Sequence, residues 1–428
     1  MAEEADHEYV FNDILPLSFR IVLFLQLGIF LWDRMVWICY KVYSMNVLAL
    51  LNLAYSPHKY TSDNHNVDSA LAEYSTTSSA DLGENQILLR GTNGTFKSTL
   101  PVNIAGIVVY WTLLASSNPT GFLIHVTKHY LPLPLLAYTL YKTFGPGPTM
   151  GQTRMFTTLK RVLKGNINSS TMRTNDILIS DSLTSYAKVI NDFGAYVWIT
   201  LLPTSQGYNV YVEALVLSLP GLIRVKQCWF EFKLTGQKLH FYNMMKYCCL
   251  LGPILVNLLI KIQMSQLTDD TAASSNLNTL NMWWYIISFV SSTYSFIWDI
   301  RMDWGFGMLE PLFTQQYRNY LPLRQRSSLV YNNLLAYYSV IFIDFVLRFI
   351  WVFKIYVIKS TEVELGLRSR VGRFLFGYDF YSFGFVVLEV LEILRRWLWC
   401  FLKLESDLVK LQERDGLVHA IPLANVKT

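Results

Sequence analysis

Charged side chains are scarce in this sequence of 428 residues. Asp, Glu, Lys and Arg make up 16% of it, against about 25% in ordinary soluble domains. With 52% hydrophobic residues and a mean hydropathy of +0.28, that shortage excludes intrinsic disorder and a water-soluble globule. Cysteine is thin too. Cys39, Cys228, Cys248, Cys249 and Cys400 lie mostly in apolar runs without CxxC spacing, which excludes a disulfide scaffold or zinc finger and reads as small core residues. A basic n-region is missing: the opening MAEEADHEYV is acidic, so the first apolar run is read as an uncleaved anchor. No P-loop, Gly-rich nucleotide motif, HExxH frame or Gly-x-Ser-x-Gly elbow occurs, so no enzyme activity, metal or cofactor is expected. No nucleic-acid partner is expected either.

What is there is apolar length. Windows of about 20 residues predict an all-α, polytopic membrane helical bundle of about ten spans, at 17–32, 35–55, 100–115, 121–141, 177–202, 208–223, 241–262, 282–298, 329–358 and 374–401. The first two are short, with Asp33 and Arg34 between them; the alternative is one long helix plus a re-entrant piece. Residues 56–98, rich in Ser, Thr and Asn, read as a polar loop. Gly145-Pro146-Gly147-Pro148 breaks the chain before a basic amphipathic stretch at 153–164, expected on the cytosolic membrane face.

The organisation read from these features is a short N-terminus at 1–16, a peripheral four-span unit at 17–142, a basic linker at 143–175, a six-span core at 176–404 and a tail at 405–428. Residues 142–173 carry six basic side chains and no acid, and 224–240 and 301–326 carry four basics each. The positive-inside rule places these loops and both termini in the cytosol. The four basics at 359–373 fall on the opposite side and disagree. The sequons at Asn93 and Asn168 then face the cytosol, unused.

The few charges concentrate where lipid should be. A charge at a span centre costs a few kcal/mol or more, so it survives mainly beside a cavity or a partner. Asp181, Lys188 and Asp192 share one helical face of the fifth span, with Thr184 and Ser185 beside Asp181. Arg224 ends the sixth span, and Lys246-Tyr247 lie in the seventh. Asp299 and Asp303 close the eighth at an i,i+4 spacing. Asp344 and Arg348 repeat that spacing in the ninth, and Glu392 precedes Arg395 and Arg396 in the tenth. Cations each near an acid suit a desolvated oxyanion: guanidinium forks replace its water, and the acids keep binding weak enough for exit. The alternative is a set of structural ion pairs between helices. His125 and His129, spaced i,i+4, read as border residues rather than a metal site, and Asp299/Asp303 is a weak DxxxD match to a metal-dependent transferase.

The strings WDIRMDWG, IDFVLRFIW and LEILRRWLWCFLKLE, in that order over roughly residues 176–415, resemble the EXS-domain family of phosphate exporters. The resemblance implies that inorganic phosphate crosses the bilayer through the last six spans. It implies pathway roles for Asp181, Thr184, Arg224, Lys246, Tyr247, Asp299, Asp303, Arg348, Glu392, Arg395 and Arg396, with Trp351 as a gate. Two departures stand out: Trp229-Phe230-Glu231 replaces a basic run, and the short N-terminus is expected to leave out the SPX sensing domain. The second departure resembles the short fungal branch of the family. That branch implies Golgi residence, phosphate return from lumen to cytosol, retention of ER luminal proteins, a homodimer, and Golgi glycosyltransferases or their sorting machinery as partners. A non-transporting adaptor that retains glycosyltransferases is the alternative.

Overall fold

The computed structural model describes residues 11–51, 79–116, 121–147, 150–168, 172–202, 207–265, 271–308, 323, 329–331, 333–355, 367–376 and 382–420. Among the described residues every regular element is a helix. Inside lipid a helix satisfies each backbone N–H and C=O within its own segment, so apolar runs of this length have little other choice.

Helix α1 (Leu17–Trp37) runs on through a π-helical turn at Ile38–Val42, and α2 (Val47–Leu51) follows. There is no break at Asp33-Arg34, so of the two layouts the single long helix is the one formed. Buried Asp33 accepts from Arg34 at 2.5 Å and from the Thr92 hydroxyl at 2.8 Å. Its charge is met inside the protein, so the chain need not turn toward water there.

Helix α3 (Ser79–Ser116) is 38 residues long and corrects the polar loop expected over 56–98. From Ser79 onward the segment is helical, while 56–78 lies outside the described residues. Thr95, Ser98 and Thr99 donate to the carbonyls of Gly91, Thr95 and Thr95 at 3.1, 2.9 and 2.9 Å. A hydroxyl bonded one turn back spends its donor within the helix, which makes a polar stretch compatible with it.

The span expected at 121–141 splits at Pro132, which has no N–H to continue the first helix, into α4 (Phe122–Tyr130) and α5 (Pro132–Phe144). The amphipathic stretch forms α6 (Met150–Leu163), with Thr158 and Val162 buried. The fifth span is broken at Tyr186 into α7 (Arg173–Ser185) and α8 (Ala187–Leu201). Then come α9 (Val210–Thr235), α10 (Lys238–Ser265) and α11 (Thr271–Trp298), which passes into a π-helical turn at Asp299–Asp303. The last helices are α12 (Leu334–Arg348), with a 3-10 turn at Ile350–Val352, α13 (Leu367–Phe376) and α14 (Phe383–Ala420).

Among the described residues four stretches are long and apolar enough to cross a bilayer: Leu17–Val42, Asn85–Ser116, Lys238–Ser265 and Leu334–Ile355. The ten expected spans are therefore not recovered as ten such helices. Two merge in α1, two are interrupted at Pro132 and Tyr186, and the charges within α14 lower its apolarity.

Helix α1 packs against α3 and α5 and also against α8 and α14. Phe19, Val22, Tyr110, Leu135 and Val189 share one apolar cluster, and Met35, Cys39, Tyr337, Trp399 and Leu402 share another. The Gly-Pro break thus does not separate α1 from the later helices in space. The Tyr186 hydroxyl at the α7–α8 break donates to the Phe24 carbonyl at 3.0 Å. Only glycine fits beside it, since a Cβ on Gly28 would lie 2.2 Å from that hydroxyl oxygen. Helices α9, α10 and α11 stack as consecutive hairpins. Leu215, Leu222, Leu255, Leu259 and Phe289 stand exposed on their outer side, the surface a lipid tail would cover.

Candidate functional site

Helices α7, α9, α10, α12 and α14 and the turn after α11 bring ten charged side chains together. The π-helical turn widens the backbone, Trp304 donating to the Asp299 carbonyl at 2.8 Å, and sends its two carboxylates to different partners. Asp299 accepts from Arg348 of α12, and Asp303 lies 3.8 Å from the Lys246 ammonium of α10. Asp344 accepts from Arg348 Nε at 2.8 Å and from Arg395 Nη1 at 2.9 Å. Glu392 accepts from Arg395 Nε at 3.0 Å and Nη2 at 2.6 Å, and from the Ser185 hydroxyl at 2.8 Å. Ser185 in turn accepts from Arg396 Nε at 3.2 Å. Asp181 closes the series, with Arg224 at 2.7 Å and a hydrogen bond from the Tyr247 hydroxyl at 2.6 Å. Arg224 also donates to Ser180 at 3.0 Å and to Gln227 at 2.7 Å.

Five cations, Arg224, Lys246, Arg348, Arg395 and Arg396, face five carboxylates, Asp181, Asp299, Asp303, Asp344 and Glu392. The sum is neutral, which is what a bundle in low dielectric tolerates. The grip is uneven, however. Arg348 and Arg395 each hold two carboxylates by direct hydrogen bonds. Arg396 sits 3.9 Å from Asp181 and Lys246 sits 3.8 Å from Asp303, too far for hydrogen bonds. Both rest on aromatic faces: Arg396 is 4.6 Å from the Trp399 ring, and Lys246 is 4.6 Å from Tyr247 and 5.4 Å from Trp298. The hydrogen bonds of Arg396 go to neutral hydroxyls, Ser185 at 3.2 Å and Thr184 at 3.5 Å. A ring face steadies a cation without using its N–H donors.

Trp351 stands at one side of this network. Its indole N–H donates to the Ser292 hydroxyl at 3.0 Å, which donates to the Arg348 carbonyl at 2.9 Å. Trp284 meets its ring edge-on at 5.9 Å, and Tyr285 stacks at 6.4 Å. The Lys354 ammonium lies 4.1 Å above Trp284.

All eleven residues singled out as a pathway, together with Asp344, thus fall in one contact network, with Trp351 attached through Ser292. Lys188 and Asp192 do not join it. The break at Tyr186 rotates α8, so Asp192 approaches Arg20 of α1 at 3.8 Å and Lys188 lies 5.2 Å from the Phe385 ring. The shared helical face read for Asp181, Lys188 and Asp192 is corrected accordingly. His125 and His129 have ring centroids 4.5 Å apart on α4. Sequence reading missed Ser180, Gln227, Ser292 and Trp284. Gln227 had a signal in its i+3 spacing from Arg224; the others, neutral residues in apolar helices, had none.

A sequence profile described as the EXS family matches residues 15–409. Protein ERD1 of Saccharomyces cerevisiae is 28% identical over 58% of this chain, and the match spans 59% of that protein, less than two thirds of its length. Protein ERD1 homolog 2 of Schizosaccharomyces pombe is 24% identical over 93% of this chain and 98% of its own. Solute carrier family 53 member 1 of Mus terricolor is 28% identical over 47% of this chain and 25% of its own. The profile match runs from the start of α1 into the last turns of α14 and takes in the whole charged network, so the chain belongs to the EXS family.

Proposed function

We propose that the protein carries inorganic phosphate from the Golgi lumen to the cytosol through the charged network, with both termini cytosolic. In this reading it recycles phosphate released by glycosylation, and effects on glycosyltransferase recycling and ER protein retention follow from luminal phosphate. Family membership and a relative named as a solute carrier support transport. The residues support an oxyanion as cargo, because cations on several helices converge on one place.

The observation that carries the reading is the loose hold on Arg396 and Lys246 beside Asp181 and Asp303. Arg348 and Arg395 are locked by their carboxylates and keep the network ionised and aimed. Arg396 and Lys246 pivot on their aromatic rests and turn their donors toward an arriving phosphate. Asp181, 3.9 Å from Arg396, keeps Arg224 and Tyr247 in place and repels the anion enough for it to leave. Trp351, hydrogen-bonded through Ser292 to the Arg348 backbone, narrows the way past that arginine.

The test is radiolabelled phosphate flux into proteoliposomes, with folding checked by size-exclusion chromatography. Arg396→Ala and Lys246→Ala each leave behind no directly hydrogen-bonded carboxylate. Each should lower flux about tenfold or more, as losing one charge-assisted hydrogen bond worth about 1.5–3 kcal/mol implies. Arg348→Ala should abolish flux. Wild-type flux in the folded variants would remove these residues from the pathway.

A further inference from the structure

A second buried charge cluster lies outside the network. Asp192 of α8 and Glu389 of α14 are both fully buried, and none of their four carboxyl oxygens has a hydrogen-bond partner among the described residues. The charged and titratable groups facing them are Arg20 of α1, Lys188 of α8 and Tyr208 ahead of α9. Arg20 approaches Asp192 at 3.8 Å, beyond hydrogen-bond reach, and Lys188 lies over the Phe385 ring. Every carboxylate of the phosphate network, by contrast, has a cation within 4 Å, and Glu389 has none among the described residues.

A buried carboxylate without a bonded partner is costly, whereas the neutral acid is cheap to bury. We propose that Asp192 and Glu389 form a proton-binding site, and that its proton is exchanged during the transport cycle. Its position provides the link. Glu389 lies one turn of α14 before Glu392, and Asp192 lies on the helix beyond Tyr186, whose other side carries Asp181, Thr184 and Ser185. Ionising the pair draws Arg20 and Lys188 toward it and shifts α8 against α14, which moves the Ser185–Glu392–Arg396 contacts. The proton site stands on the two carboxyl groups alone; its coupling to phosphate rests on the reading above.

Infrared difference spectra of the purified protein between acid and alkaline pH test the site without any phosphate. The wild type should show the C=O stretch of a protonated carboxylic acid, shifted in D2O. That band should be lost in Glu389→Gln and displaced in Asp192→Asn. A spectrum in which both variants keep the wild-type band overturns the site. The coupling is read from phosphate flux across pH. A one-proton step changes flux up to about tenfold per pH unit, and Glu389→Gln, which mimics the protonated acid, should flatten that dependence relative to wild type. An unchanged pH profile in a folded, flux-competent Glu389→Gln overturns the coupling. An infrared band lost in Glu389→Gln with no flux from wild type supports the proton site while rejecting phosphate as cargo.

Discussion

At the scale of single residues, the five cations of the network differ in how they are held, and that difference orders the effects of substitution. Asp344 bonds both Arg348 and Arg395, so it is the acid whose loss releases most. Removing one partner of a buried ion pair costs about 3–5 kcal/mol, because the other charge stays buried. Asp344→Asn should therefore lower thermal stability clearly and reduce phosphate flux severely, read by melting in detergent and by proteoliposome assay. Asp303→Asn, whose partner Lys246 is 3.8 Å away and cradled by two rings, should lower the melting temperature less than Asp344→Asn does. Equal destabilisation by both would contradict the uneven grip.

Glu231 is a second residue whose setting makes a prediction. It lies two turns beyond Arg224, past the expected span, where relatives were expected to be basic. Burial alone would push its carboxyl up, but Arg173 at 2.6 Å and His240 at 3.3 Å outweigh that and hold it down at about 2. A carboxyl depressed on folding stabilises the protein fully above its unfolded value. That contribution is lost as pH falls from the ordinary glutamate range through about 2. Glu231→Gln should thus be less stable than wild type at neutral pH, and the gap should close in acid. A gap that widens as pH falls would reverse the assignment.

At the scale of elements, the break between α7 and α8 sets which charges meet. An unbroken helix would put Asp181, Lys188 and Asp192 on one face; the turn at Tyr186 sends the first to one cluster and the last to another. Tyr186 is anchored on α1 at Gly28, where a Cβ would come within 2.2 Å of the hydroxyl oxygen. Gly28→Ala should destabilise by about 1–3 kcal/mol, the range for overpacking a tight contact, and should lower flux by displacing α7. Tyr186→Phe in the same chain removes the clashing oxygen and should restore most of the stability in a melting experiment. Failure of that rescue would place the cost of Gly28→Ala elsewhere. The π-helical turn at Asp299–Asp303 acts likewise: its extra width aims two carboxylates of one motif at cations on two helices.

At the scale of the whole molecule, the basic segments 142–173 and 224–240 meet through Arg173 and Glu231. Arg161 holds Asp176 at 2.5 Å, Arg173 holds Glu231, and Lys403 holds Asp407 at 3.0 Å while Thr174 donates to the same carboxyl at 3.3 Å. These contacts tie α6, α7, α9 and α14 together on the face expected to be cytosolic. Gly236, with φ +67°, turns the chain from α9 into α10 on that side and is exposed, and Gly207 is exposed at the opposite end of α9. In a cysteine-free background, Gly236→Cys should react with an impermeant maleimide from the cytosol, and Gly207→Cys only from the lumen. The reverse pattern would invert the expected topology and the proposed direction of transfer.

Much of this was legible in the sequence because composition and spacing act locally. Too little charge for a soluble surface dictates helices. The i,i+4 spacing of Asp344 and Arg348 places them in contact on any helix, and the i,i+3 spacing of Glu392 and Arg395 does the same. The amphipathic pattern at 153–164 likewise forms its helix. Three matters were not legible in the sequence. Asp33 does not break α1, because Arg34 and the distant Thr92 satisfy it. The polar run after Ser79 is helical because its hydroxyls bond back along the helix and α1 packs beside it. Asp192 leaves the face of Asp181 for a cluster with Arg20, a residue some 170 positions earlier in the chain. Local spacing fixes which side chains share a helix face, but only packing decides which helix that face meets.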